Sequence, residues 1–361
     1  MTTKPSAETE AISPRSNPDL LGQETAEAEL LRAYASGRLP HAWLIAGQGG
    51  IGKATLAFRF ARFLLSGGSP HAGTLAIDDG HPVFRRVASG GHADLTTIEK
   101  QFDEEKGKQR KEIAVDDVRR IAPFLRLTPA EGGWRVVIVD GAETMNRFGQ
   151  NAVLKILEEP PRQSVLMLVT ERPASLLPTI RSRCRVLAIP PLTEAVVETL
   201  IFRHRPDIDA TARIALARVS GGSIGRALDI AQHDGLSLLS QFLTIAAGSP
   251  IEWQAAHALG DKLAPAAADE SFRSFAQLLV DWLARIAREI GRSAAISSGE
   301  TFERVPGELA LIKRLMRPGR LEQLLEVWEK VSNLFARSES ANLDRRLTVI
   351  SAFEVVSAAL R

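Results

Sequence analysis

Two groups of residues along the chain have the types and spacing for phosphate chemistry. The stretch GQGGIGKATLA, residues 47–57, fits the pattern G-x-x-x-x-G-K-[ST] at Gly47, Gly52 and Lys53. In such a loop backbone N–H groups wrap a β-phosphate and the lysine neutralises its charge. The closing hydroxyl that would hold magnesium is replaced by Ala54. Gly50 adds a further glycine inside the loop, and Thr55, one residue late, is placed to touch an α-phosphate. Asp140 ends the run WRVVIVD, where a strand delivers a metal-linked aspartate, but the next position, suited to a water-orienting glutamate, is Gly141. Hydrolysis needs hydroxyl, aspartate, water-orienting group and an arginine together. Two of these are missing, both on the side of the metal and the water. The pattern predicts a nucleotide pocket that has lost turnover, with no cofactor required and room only for weak, vestigial ATP or ADP binding.

The elements around these residues follow from the apolar pattern. The run AWLIA, 42–46, enters the glycine loop, and KATLAFRFARFLL leaves it with Leu56, Phe60, Phe63 and Leu64 at helical spacing. Strand, loop and helix in that order is the context that makes the motif specific. Further strands are expected at 94–98, 134–140, 165–170 and 185–189, with helices at about 115–125 and 144–158, the latter stopped by Pro160 and Pro161. These strands are apolar at nearly every position, as in a parallel sheet covered on both faces. The mixed-charge stretch 99–112 reads as a solvated loop. From Pro191 onward the strand signal ends, and amphipathic helices are separated by Pro206, by Gly221 and Gly222, and by Pro265, Pro306 and Pro318. Trp253, Trp282 and Trp328 are expected in the helical core.

Composition sets outer limits. A chain of 361 residues suggests two or three domains at roughly 150 residues each. No run reaches the eighteen or so apolar residues of a membrane span, and the polar start MTTKPSAETEAISPRS has no signal-peptide core, so a cytoplasmic protein with a flexible leading tail is expected. A formal charge of +2 creates no field that demands nucleic acid. Cys184 is the only cysteine, which excludes an internal disulfide and a cysteine zinc site, and the scattered histidines have no ligand spacing. No metal site is expected.

The stretches LGQETAEAELLRAYASGRLPHAWLIAG, GGWRVVIVD, NAVLKILEEPP and LLPTIRSRC, with GSIGRAL and NLDRR further on, are spread over residues 20–350. On these the chain resembles bacterial clamp-loader subunits of the AAA+ class, and among them the delta-prime family of DNA polymerase III. LPHAWLIAG and LLPTIRSRC carry more of the resemblance than the glycine loop does. The resemblance implies an α/β plus all-α fold: a disordered tail at 1–17, a parallel-sheet, RecA-like AAA+ domain at 18–191, a small three-helix lid at 192–235, and a helical collar for oligomerisation at 236–361. It implies a hetero-oligomer with motor subunits and a clamp-opening subunit, with the sliding clamp reached indirectly, primed DNA met through the complex, and no membrane.

Residue roles are implied in the same way. Ser182, Arg183 and Cys184 match a motif that lies at the subunit boundary in clamp loaders, so Arg183 is expected to act as an arginine finger in trans, on the ATP site of a neighbouring motor subunit. Cys184 is expected to be a small buried residue. Thr170 falls where the family carries a polar sensor of the γ-phosphate. In the lid the nucleotide-contacting arginine is shifted: Gly225 takes its place and Arg226 follows one residue late, a turn of about 100° on a helix. Many relatives carry a four-cysteine zinc module where this chain has residues 66–93 without cysteine, so a loop or short helix and no zinc are expected there. Whether the chain is itself an enzyme stays open. The alternatives are an ATP-hydrolysing motor subunit of the same loader, which requires Ala54 and Gly141 to be tolerated, and an unrelated loop-containing NTPase or nucleoside kinase.

Overall fold

The apolar runs before residue 190 pair as one parallel sheet. Its strands are β1 (Ala42–Ala46), β2 (Leu95–Ile98), β5 (Arg135–Asp140), β6 (Ser164–Thr170) and β7 (Arg185–Ala188). A short antiparallel ladder, β3 (Phe102–Asp103) with β4 (Lys108–Gln109), stands apart from it. The computed structural model describes residues 13–103, 108–131, 133–292, 304–315, 321–341 and 343–358. The chain divides into two compact units, Met1–Val196 with Gly222–Ile224, and Val197–Gly221 with Gly225–Arg361.

In the first unit the order across the sheet is β2-β5-β6-β1-β7, all parallel. Strands β1 and β6 are buried at every residue, which is why their sequence shows no polar alternation. One face packs Trp43, Ile45, Phe60, Phe63 and Met167, and the other packs Leu44, Val137, Val139, Val153 and Leu168. Each such side chain contributes about 1.5–3 kcal/mol on burial. The helix Lys53–Leu65 supplies the first face and Arg147–Glu158 the second.

Three sequence expectations change here. The stretch 99–112 is not a plain loop, because Phe102 and Asp103 ladder with Gln109 and Lys108. The helix expected at 115–125 is two short ones, Val115–Arg119 and Ile121–Arg126. Within the stretch expected as a tail at 1–17, residues 15 and 17 are held: the buried Arg62 guanidinium donates to the carbonyls of Arg15 (3.0 Å) and Asn17 (2.7 Å). Burial, with Arg59 nearby, brings Arg62 down to about 10, and its plane lies over the Phe84 ring at 4.5 Å. Residues 1–12 of the expected tail lie outside the described residues. Segment 66–93 contains the short helix Pro82–Ala88, which buries Val83, Phe84 and Val87.

The second unit is helical. Its bundle includes Gly235–Ala247, Trp253–Leu263, Asp269–Arg292, Glu308–Leu315, Leu321–Ala341 and Arg345–Ala358. Phe242 stacks on Phe353 with ring centroids 4.1 Å apart and meets Phe275 at 5.6 Å. Glu308 is fully buried, and its carboxylate accepts from Trp282 Nε1 (2.6 Å) and from the Arg285 guanidinium. Trp282 is core as expected, but Trp253 and Trp328 are 40% and 37% exposed: helical spacing places them on a face without deciding which face is covered. Among the described residues no helix is long and apolar enough to cross a membrane.

Candidate functional site

Strand β1 runs directly into the glycine loop, and the Gly47 N–H donates to the Thr170 carbonyl at 3.2 Å, tying the loop to β6. A Cβ at Gly47 would lie 2.5 Å from the Ile189 carbonyl oxygen, so packing alone demands glycine there. Gly50 and Gly52 have φ of 68° and 95°, left-handed values that disfavour side chains. Gly52 is the N-cap of Lys53–Leu65 and offers no side-chain cap.

Lys53 is buried, and its ammonium donates to the Gln48 carbonyl inside the loop. Burial lowers its pKa, and Glu171, Glu143 and Asp140, in that order, pull it back up. Asp140 ends β5 with its pKa raised, first by burial and then by Glu99, while Lys53 opposes the rise. Thr55 is buried beside Lys53 on the same helix. Thr170 is fully buried at the end of β6, where its hydroxyl oxygen accepts from the Arg172 N–H at 3.1 Å. Gly141 has φ of 74°, so a glutamate there would have to adopt a left-handed backbone. The absence of that glutamate is built into the turn after β5.

Arg183 lies elsewhere on the same unit. It follows the short helix Pro178–Arg181 and stands two residues before β7. There its guanidinium donates to the Thr179 carbonyl at 3.2 Å and pairs with Glu158 at 3.1 Å, with more than a third of the side chain exposed. Glu158 closes the helix Arg147–Glu158, whose Asn146 cap accepts from the Gly149 N–H at 3.0 Å. Buried Gln150 joins this helix to the arginine segment, donating to the Met145 carbonyl at 3.0 Å and accepting from the Leu177 N–H at 2.8 Å. Cys184 is buried, and burial pushes its thiol up to about 12, so it carries no thiolate chemistry.

The register separates the two groups. Arg185 of β7 lies opposite Trp43 of β1, four residues before Gly47, a distance of roughly 13 Å at ~3.3 Å per residue in a parallel strand. Arg183 precedes Arg185, so it stands at the N-terminal end of the sheet and the glycine loop at the C-terminal end. The structure thus brings together Gly47, Gly50, Gly52, Lys53, Thr55, Asp140 and Thr170, and holds Arg183 apart from them. Glu158, Gln150, Glu143 and Glu171 were not marked as site residues by the sequence. Of these only Glu158 had a visible signal, its place in NAVLKILEEPP. In the second unit Arg226 pairs with Asp281. Among the described residues no group of three or more His, Cys, Asp or Glu is arranged to hold a metal ion.

The family described as "DNA polymerase III, delta subunit" matches residues 22–193. DNA polymerase III subunit delta' of Escherichia coli is 30% identical over 82% of this chain and 83% of its own length. The subunit delta' of Pseudomonas aeruginosa is 38% identical over 51% of this chain; that match spans about half, 53%, of the relative. DNA polymerase III subunit gamma/tau of Mycobacterium tuberculosis H37Rv is 30% identical over 66% of this chain and 39% of its own length.

Proposed function

The chain belongs to the delta-prime family of DNA polymerase III subunits, and from that premise we propose that it is a non-motor subunit of the clamp loader, lending Arg183 in trans to the ATP site of a neighbouring motor subunit. The observation that supports this most is the separation along the sheet. An arginine at the N-terminal end of β7 is on the wrong end of its own sheet to serve its own glycine loop, yet it is solvent-accessible and precedes a strand fixed by pairing with β1. The positive charge of such a finger stabilises the charge of the transferring phosphoryl group. Ala54 and left-handed Gly141 account for the other half of the reading, a chain that does not hydrolyse ATP itself.

In this reading the helices after residue 236 serve as the collar that meets the motor and clamp-opening subunits, residues 192–235 form the lid, and the assembly works in the cytoplasm on the sliding clamp and primed DNA. The motor-subunit alternative draws on the gamma/tau similarity and the retained Lys53, but it would need water to be oriented without a glutamate at 141. The test is reconstitution of the loader with wild-type or Arg183→Ala chain. The purified chain alone should show no ATPase, and the variant should lower DNA-stimulated turnover at the site it faces by about 10³-fold or more. Full loader activity from the variant would remove the finger role, and turnover by the isolated chain would favour the motor reading.

A further inference from the structure

Glu171 follows Thr170 at the end of β6, and its carboxylate lies against the glycine loop. A Cβ built at Gly49 would fall 2.5 Å from its Oε1, 3.0 Å from Cδ and 3.3 Å from Oε2. The whole carboxylate is therefore pressed to the loop backbone at its centre. The Glu171 N–H donates to the Glu143 carboxylate at 3.3 Å, which fixes where the side chain starts. Elsewhere on the loop the Ser223 hydroxyl donates to the Gly49 carbonyl at 2.8 Å, and Leu20 rests on Gly52, its Cδ1 3.2 Å from where a Cβ would stand. Protein groups thus line the loop from several directions.

The charges follow the same arrangement. Lys53 supplies the loop's cation, and among its acidic neighbours Glu171 acts on it most strongly, ahead of Glu143 and Asp140. Three carboxylates therefore act on one buried ammonium, one of whose three N–H groups donates to the Gln48 carbonyl. A polyphosphate brought to this loop would meet the Glu171 carboxylate, a like charge, at the Gly49 backbone.

We propose that Glu171 is the internal counter-anion of the phosphate loop, standing in for phosphate charge and closing this loop to ATP and ADP. The loop keeps its fold, since Gly47, Gly50 and Gly52 are required by packing and backbone, while its ligand is part of the chain. This deepens the reading of a non-hydrolysing subunit and rests on it for its place in the loader. The two fail separately, however: loop closure is measured on the isolated chain, and the role of Arg183 only in the assembled complex.

The experiment is titration of the full chain with ATP and with ADP, with and without magnesium, by calorimetry, for wild type, Glu171→Ala, Glu171→Gln and the double variant Glu171→Ala with Lys53→Ala. Glu171 is exposed; the melting temperature of every variant is measured first, so that binding is compared only among folded chains. Expected is no saturable binding by wild type at millimolar nucleotide, binding at least about tenfold tighter by both Glu171→Ala and Glu171→Gln, and loss of that gain in the double variant. Wild-type binding equal to that of Glu171→Ala would overturn the proposal, as would no gain in either single variant. A gain with alanine but none with glutamine would overturn the charge argument, leaving bulk alone as the obstacle.

Discussion

The Arg183 guanidinium and the Glu158 carboxylate sit 3.1 Å apart, linking the last turn of Arg147–Glu158 to the residue pair that enters β7. Both side chains are partly exposed, at 38% and 51%, so water screens the pair and its share of folding stability is small. Glu158→Ala should change unfolding free energy by less than about 1 kcal/mol in a urea melt. A larger loss would mean that the pair serves the fold rather than leaving Arg183 free to be transferred to a partner.

Burial of Cys184 makes a prediction about its reactivity. With the thiol pushed up to about 12 by burial, iodoacetamide at pH 8 should label the folded chain far more slowly than the unfolded chain. Labelling followed by mass spectrometry across a urea series should track unfolding. Rapid modification of the native protein would place the thiol at the surface and contradict its place in the core cluster that holds Ile180 and Leu176.

The buried carboxylate of Glu308 should dominate the stability of the helical unit. Arg285→Ala leaves that charge fully buried without its cation and should cost about 3–5 kcal/mol. Trp282→Phe removes one hydrogen bond to the same carboxylate and should cost about 1–3 kcal/mol. Urea denaturation of the two variants checks both the order and the sizes.

Asp140 carries a pH signature. Its folded-state pKa is raised, chiefly by burial, so the folded chain favours the protonated acid more than the unfolded chain does. The stability this gives is present below the ordinary aspartate pKa and is lost as pH rises through the raised folded value. At pH 7 the ionised group is therefore a net cost, and Asp140→Asn should raise stability there, with the advantage shrinking as pH falls from the raised folded value to the ordinary aspartate value. Melting curves between pH 3 and pH 7 test the sign. A variant less stable than wild type at neutral pH would show that the ionised carboxylate is held by favourable partners.

Much of this architecture was legible because burial on both faces leaves unbroken apolar runs. AWLIA and RVVIVD have few other places to go than a covered parallel sheet, and glycine at 47, 50 and 52 marks the loop between strand and helix. The β3–β4 ladder was hidden because two-residue strands leave no period to read. Trp253 and Trp328 were misplaced because helical spacing fixes a face but not its covering. The acids around Lys53 were invisible for a different reason: Glu143 and Glu171 reach the loop from the ends of two other strands, and only the β5–β6–β1 order brings them together. Gly141 shows a gain in the other direction. The sequence marked a missing glutamate, and the structure adds that its φ of 74° makes restoring one costly, by roughly 1–2 kcal/mol for a side chain in the left-handed region. Gly141→Glu combined with Ala54→Thr should therefore destabilise the chain in a thermal melt and restore no measurable turnover.

The central claim is that Arg183 leaves Glu158 for a neighbour's nucleotide. A cryo-electron microscopy map of the reconstituted loader, trapped with a non-hydrolysable ATP analogue and primed DNA, measures this directly. The guanidinium should lie within hydrogen-bonding distance, about 2.7–3.2 Å, of the γ-phosphoryl oxygens in the adjoining motor subunit. An Arg183 still paired with Glu158 and facing solvent in a fully loaded, nucleotide-bound assembly would contradict it.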